Sequence, residues 1–454
     1  MRTALLSLCL AAACIGAASQ AYPSPDQAAT LAQPGDMLIQ DATVMTATHG
    51  TLEHTSILVR AGKITAIGPS LSAPAGVAVV DGKGKYVIPG IIDEHSHTAV
   101  DGGVNEGAPS ISAMTRIKDV INPHDVNLYR QLAGGVTIIH IFHGSANEIG
   151  GEDAVVRLKW GLPVDEMLYP GAPQGIKFAL GENPKQTANP HGRYPATRQG
   201  VNDAIRTAFL QAQAYKKQWD DYHAAVARGE PVYPPRTDLN LEPLVGILDG
   251  KILVHSHSYV SAEIQALIDD SDEFHFHIAT LEHCLEAYKL VNEIKAHNIG
   301  CSTFADDWSY KEEAVDGIAY NAALLEQKGV RAAINSDDDG RARRLYMDAA
   351  KVIHYGNVSE QTALQTITLN PAWMLGIDKT VGSIDVGKDA DFAIFNGDPF
   401  GPSAMVVATI IDGRVFFDRS QDLARRKKVA EYENLFQPGL NLSLADDGGH
   451  GGNQ

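Results

Sequence analysis

The sequence predicts an α/β protein: a (β/α)8 TIM-like barrel over residues 89–376, with a small β-sandwich domain built from both chain ends. Three observations point there. Through the middle of the chain, short apolar runs alternate with amphipathic helical stretches, the pattern of a parallel sheet covered by helices. The flanks read instead as short alternating strands separated by Gly, Asn or Asp turns. Metal-binding residue types recur where the apolar runs of the middle segment end, which is where a barrel gathers its functional groups.

Residues 1–21, MRTALLSLCLAAACIGAASQA, have one basic residue, an apolar stretch and a small-residue ending, the layout of a cleavable secretory signal. The expected mature chain starts near Tyr22 and is exported, periplasmic or secreted. Cys14 after three alanines offers the lesser alternative of a lipid-attachment cysteine, because Ala11 stands where a larger aliphatic belongs. No other apolar stretch is long enough to span a membrane. The formal net charge of −18 repels nucleic acid and anionic lipid, so neither is expected as a partner. A small-molecule substrate is expected, and a homo-oligomer is left open. Of the four cysteines, only Cys284 and Cys301 lie outside the leader. They are expected to stay unpaired, since one closes a strand and the other begins the next.

The composite sandwich is assigned to 34–88 plus 377–417. Its first part comprises MLIQDATVMT, TSILVRAGKITAIG and VAVVDGKGKYVIPG, with a hairpin at Ala61-Gly62-Lys63. Its second part, GSIDVGKDADFAIFNGD and VVATIIDGRVFFD, has a matching turn at Asp412-Gly413. Barrel strands are expected at 88–97, 135–142, 153–159, 174–179, 251–257, 275–283, 299–304 and 330–336. Pro163, Pro170 and Pro173 leave little room for a crossover helix after the third strand. An insertion over 181–242 contains a helix near 201–228, with Ala204, Ala208, Ala212 and Tyr215 on one stripe. It is expected at the active-site rim, shaping the pocket. Residues 418–454 form an extension whose Gly-rich end, DDGGHGGNQ, is expected to be disordered.

The chemistry begins at PGIIDEHSH, where an apolar run ends in His-x-His. Alternation along a strand sends His95 and His97 to one side, where they can grip one metal ion. KILVHSH repeats the motif. His255 is assigned to metal, and His257, nearer the loop, to substrate. His283 closes a strand in LEHC, and Asp337 is the first carboxylate after the apolar run of VRAAINSDDDG, with Asp338 and Asp339 placed in the loop. Lys177 in QGIKFALG is a cation where a metal site tolerates none, unless its amine has taken up carbon dioxide to become a carbamate. An ordinary pairing with Glu182 or another acid is the alternative. His140 and His143 flank the second strand's end, and His143 is read either as a substrate contact or as a hydrogen-bonded rim residue.

PGIIDEHSH, Lys177, VHSH, LEHC, NSD and the closing GSIDVGKDADFAIFNGDP together resemble the amidohydrolase superfamily of metal-dependent hydrolases, in its exported imidazolonepropionase-like and dipeptidase-like branch. The resemblance covers nearly the whole mature chain. It implies two divalent metal ions, zinc first and iron, manganese or cobalt as alternatives. His95, His97 and Asp337 would hold one ion, His255 and His283 the other, and carboxylated Lys177 would bridge them. Loss of that modification would leave one metal. The implied activity is hydrolysis of a C–N amide bond in a dipeptide or N-acyl amino acid by a hydroxide bridging the metals, with Asp337 carrying the proton. A cyclic-amide hydrolase or deaminase using the same ions is the alternative, and a non-catalytic metal- or ligand-binding barrel the second.

Overall fold

The structure, a computed structural model, describes residues 31–188 and 192–436. The expected leader and the Gly-rich tail lie outside them. Five strands come from the N-terminal part: β1 (Met37–Met45), β2 (Thr51–Arg60), β3 (Lys63–Gly68), β4 (Ala78–Asp81) and β5 (Tyr86–Pro89). Nine follow in the middle: β6 (Ile91–Ser96), β7 (Val136–Ile141), β8 (Ile149–Glu152), β9 (Ala154–Arg157), β10 (Gln174–Ala179), β11 (Ile252–Ser258), β12 (Ile278–His283), β13 (Gly300–Thr303) and β14 (Ala332–Ile334). The C-terminal part adds β15 (Phe392–Phe395), β16 (Val406–Ile411) and β17 (Arg414–Asp418).

The two flanks join in one eight-stranded sheet ordered β17-β16-β15-β5-β1-β2-β3, with β4 also paired to β1. Its seam is the antiparallel pair β5/β15, with Pro89 opposite Phe392 and Tyr86 opposite Phe395. Both expected hairpins form with consecutive positive φ values, Ala61 (48°) then Gly62 (74°) and Asp412 (50°) then Gly413 (70°). That is the twist a two-residue antiparallel turn requires. Alternation turns Ile39, Val44, Ile57, Val59, Ile64, Val87, Phe392 and Ile394 into a shared apolar core.

In the middle segment β10 to β14 run parallel in sequence order, and β6 runs parallel to β7. The regular βα alternation expected at the third strand needs correction. That strand is split around Asp153, with β8 antiparallel to β10 and β9 antiparallel to β7. The cause is local: residues 158–173 hold only a single helical turn, Val164–Met167, among the three prolines. A parallel crossover needs a dozen or more residues and usually a full helix, whereas an antiparallel neighbour needs neither. At the other side of the arc, the Asp337 N–H bonds to the His95 carbonyl, and Ser336 donates its N–H and hydroxyl to Asp93, bringing the end of β14 to β6.

The thirty-residue helix Arg198–Ala227 starts on Thr197, whose hydroxyl accepts from the Gly200 N–H. Its buried stripe, Val201, Ala204, Ile205, Ala208, Phe209, Ala212 and Tyr215, follows helical spacing. Phe209 stacks on Phe276 at 4.6 Å, so the helix lies against the outer side of the strands rather than over the mouth. Among the described residues of the insertion, only its start, at Asn183 and Thr187, reaches the pocket. Buried Arg157 on β9 bonds to Asp389 and Asp412 and lies 3.7 Å from Asp391, tying the reversed strand to the eight-stranded sheet. Among the described residues no helix is long and apolar enough to cross a membrane. Cys284 and Cys301 are free, buried thiols.

Glu326, in the helix Asn321–Lys328, accepts hydrogen bonds from the Ala332 N–H and the Asn370 amide. Burial raises its carboxyl to about 7 against those bonds. A folded-state pKa above the unfolded one means stability that is present at low pH and lost as pH rises through about 7. Glu326→Gln keeps the acceptor oxygen and removes the titration. Between pH 5 and pH 8 its melting temperature is expected to gain about 2 °C relative to wild type, measured by parallel thermal melts.

Candidate metal centre

The strands deliver their last side chains to one mouth. His95 is next to last in β6, with His97 just beyond the strand; Lys177 lies in β10, His257 in β11 and His283 at the end of β12, and Asp337 follows β14. His283 (φ 64°) and Asp337 (φ 48°) adopt left-handed backbone, an uncommon conformation that turns each side chain as its strand ends. His95 Nε2 is 3.1 Å from Lys177 Nζ and 3.5 Å from Asp337 Oδ1, and His97 Nε2 is 3.5 Å from the same oxygen. His283 Nε2 is 3.8 Å from Asp337 Oδ2. The His257 and His283 rings are 4.8 Å apart, and those of His95 and His283 4.6 Å.

Hydrogen bonds at the far ring nitrogens aim these imidazoles. His95 Nδ1 donates to Glu282, His97 Nδ1 to the Phe142 carbonyl and His257 Nδ1 to the Ser145 hydroxyl, which leaves each Nε2 lone pair facing the centre. His257 Nε2 and Asp337 Oδ1 are buried there without a hydrogen-bond partner, as expected of donors that await a cation. The ligand atoms of His95, His97 and Asp337 all lie within 4.8 Å of one another. Imidazole nitrogens with one carboxylate suit a divalent transition metal such as zinc, so the residues present fit a metal ion.

The electrostatics match a site built for cations. Burial, then the charge of Lys177, lowers His97 to about 3, and burial holds His95, His257 and His283 well below their usual values, so these rings are neutral at pH 7. Burial lowers Lys177 to about 8 against the pull of Glu282 and Asp337. Asp337 is raised by burial to about 6, with Lys177 opposing.

Two sequence expectations, at His255 and His257, change here, and the alternatives left open at His143 are decided. His255 does not join the His95 group: its Nδ1 lies 3.5 Å from Glu94 and 3.6 Å from Glu282. Register explains why. His255 pairs with Thr280, below the mouth, whereas Ser258, next to His257, pairs with His283. His257, assigned to substrate from the sequence, therefore stands where His255 was expected. His143 has no free ring nitrogen for a substrate, since Nε2 accepts from the Glu106 N–H and Nδ1 donates to the Gly144 carbonyl. The Asp run resolves as well. Asp338 caps a short helix, and Asp339 accepts from Thr98 and Asn127, leaving Asp337 facing the histidines.

Sequence reasoning missed Glu94, Glu282, Asn105, Ser145 and Asn183. Asn105, Ser145 and Asn183 line the pocket with His97, His257 and Asp337. Asn105 and Ser145 sit in loops and Asn183 in the first turn of a short helix, Glu182–Ala188, where the spacing of apolar residues carries no signal. Glu282 had one available clue, its place beside His283 in LEHC.

Comparison with known proteins identifies the family. Residues 248–416 match the model of the Amidohydrolase family. A solved amidohydrolase from Thermotoga maritima is 31% identical, covers 84% of this chain and 100% of its own, and superposes with a TM-score of 0.78. The chain belongs to the amidohydrolase family, a group of metal-dependent hydrolases acting on small molecules. Among named relatives, amidohydrolase tasK of Hapsidospora irregularis is 32% identical over 412 residues, 84% of this chain. The chain spans only 42% of that protein's length. An imidazolonepropionase of Shewanella putrefaciens is 23% identical, with 78% of this chain and 89% of that protein aligned.

Proposed function

We propose that this chain hydrolyses the C–N amide bond of a dipeptide or N-acyl amino acid with two divalent metal ions, zinc foremost. The observation that carries the reading is the convergence of four histidines, Lys177 and Asp337 at one mouth. His95, His97 and Asp337 would hold one ion, His257 and His283 the second, and carboxylated Lys177 would bridge them. A buried amine lowered to about 8 has a neutral fraction able to take up carbon dioxide, which supports that modification. When bound, the metal supplies Lewis acidity, making a water easier to deprotonate and a carbonyl easier to attack.

The chain's own groups do the rest. Asp337 takes a proton from the attacking water and hands it to the leaving nitrogen, a task suited to a carboxylate held beside the nucleophile. The hydroxyl of Ser145 fixes the His257 ring, and Glu282 fixes His95, so neither has to reorient during the reaction. Asn183 on the pocket wall accepts from the Lys311 ammonium, which also pairs with Glu313 at 3.2 Å and so holds this amide in place. We read the two smaller sheets as arcs of one closed barrel over 89–376, and the eight-stranded flanking sheet as its accessory domain.

A cyclic amide is the second reading, favoured by the imidazolonepropionase aligned over 89% of its length. Zinc-loaded protein assayed against dipeptides, N-acyl amino acids and cyclic amides separates the two. The expected result is chelator-sensitive release of free amino acid. Turnover confined to cyclic amides, or ammonia release without peptide cleavage, overturns the first reading.

A further inference from the structure

Below the mouth, the strands enclose a second group of donors that the proposed reaction does not use. Glu94 of β6, His140 of β7 and His255 of β11 are each 1% exposed or less, and their ligand atoms lie within 4.8 Å of one another. Glu94 Oε1 is 3.5 Å from His255 Nδ1 and 3.8 Å from His140 Nδ1. A fourth donor, Glu282 Oε1 of β12, is 3.6 Å from His255 Nδ1. Ligands about 2.0–2.1 Å from a tetrahedral zinc stand roughly 3.4 Å from each other, so these separations suit a shell around one cation.

Two further observations point the same way. Both Glu94 oxygens, Glu282 Oε1 and His255 Nδ1 are buried with no hydrogen-bond partner. Unmatched polar atoms in such number are rare in a folded interior and call for a partner. His140 presents Nδ1 to Glu94, and its Nε2 lies 3.0 Å from Asp153 Oδ2, a carboxylate on the far side of the ring, where a metal-binding imidazole commonly has one. The Phe142 ring packs on His95 at 4.7 Å, on His140 at 3.9 Å and on His255 at 5.4 Å, inserting an apolar wall between this group and the mouth.

We propose that Glu94, His140, His255 and Glu282 bind a structural divalent metal ion, distinct from any at the mouth. Two imidazoles and two carboxylates suit zinc. Four protein ligands leave no open position, so this ion holds β6, β7, β11 and β12 together across the interior and does no chemistry. Glu282 spans both levels, since its other oxygen accepts from His95. The inference does not rest on the reaction assigned above.

The test is the anomalous signal at the zinc edge from crystals of the full chain grown with zinc, with metal content measured in solution. A peak enclosed by Glu94, His140, His255 and Glu282 is expected, and His140→Ala should bind one ion fewer per chain with the mouth peaks retained. Peaks at the mouth with none in this cluster overturn the proposal and leave the reaction standing. A peak here with none at the mouth does the reverse. If His140→Ala fails to fold, the wild-type map alone decides.

Discussion

Asp337→Asn is expected to lower kcat/KM by about 10³-fold, with the melting temperature nearly unchanged. Asp337 is the one carboxylate that faces the His95, His97 and His283 imidazoles, at 3.5 to 3.8 Å. Its Oδ1 is buried there without a hydrogen-bond partner. Asparagine has the same shape and tolerates the left-handed backbone at this position, so the fold survives while the proton acceptor is lost. Steady-state kinetics beside thermal melts and metal content check this. Activity within about tenfold of wild type would remove Asp337 from the proton path.

Lys177→Ala is expected to cause a loss of similar size, with a distinctive recovery. The side chain is fully buried, its amine 4.5 Å from the Phe142 ring centre and 3.1 Å from His95 Nε2. Two buried nitrogens so close sit poorly as two charges: burial and the Lys177 charge hold His95 well below its usual value, and burial lowers the amine itself to about 8. Truncation leaves a cavity the length of the stem, beside imidazoles that still point inward. Millimolar formate or acetate should then restore part of the activity by supplying the carboxylate that the carbamate provided. A loss of about 10²-fold or more with that recovery is the expected outcome. Loss without recovery would leave the lysine in the site but remove the carbamate.

Much of this architecture was legible in the sequence because it depends on short-range rules. Hairpins at Ala61-Gly62 and Asp412-Gly413 follow from which residues accept positive φ, and the strands follow from apolar runs. The three prolines after β9 marked the missing crossover, although not that the strand reverses. What stayed hidden depends on register. His255 and His257 both face inward by alternation, and only the pairing of β11 with β12 decides which of them is level with His283. Glu94 and Glu282 are harder still. Strict alternation sends each to the face opposite its neighbouring histidine, but the β6/β7 pairing slips between Asp93 and Ser96, and β11/β12 slips before His255. Such irregularities rotate side chains out of the period-two pattern, and no local sequence signal announces them.

The β5/β15 seam also governs the order in which the chain can assemble. It joins positions roughly 300 residues apart, a long closure by any measure of topology, while β7 and β9 meet across a short intervening segment. During synthesis the first five strands emerge early and wait, with the Tyr86–Pro89 edge open, until Phe392–Phe395 leaves the ribosome. A product truncated before that point would carry an unpaired, apolar strand edge and be prone to aggregate.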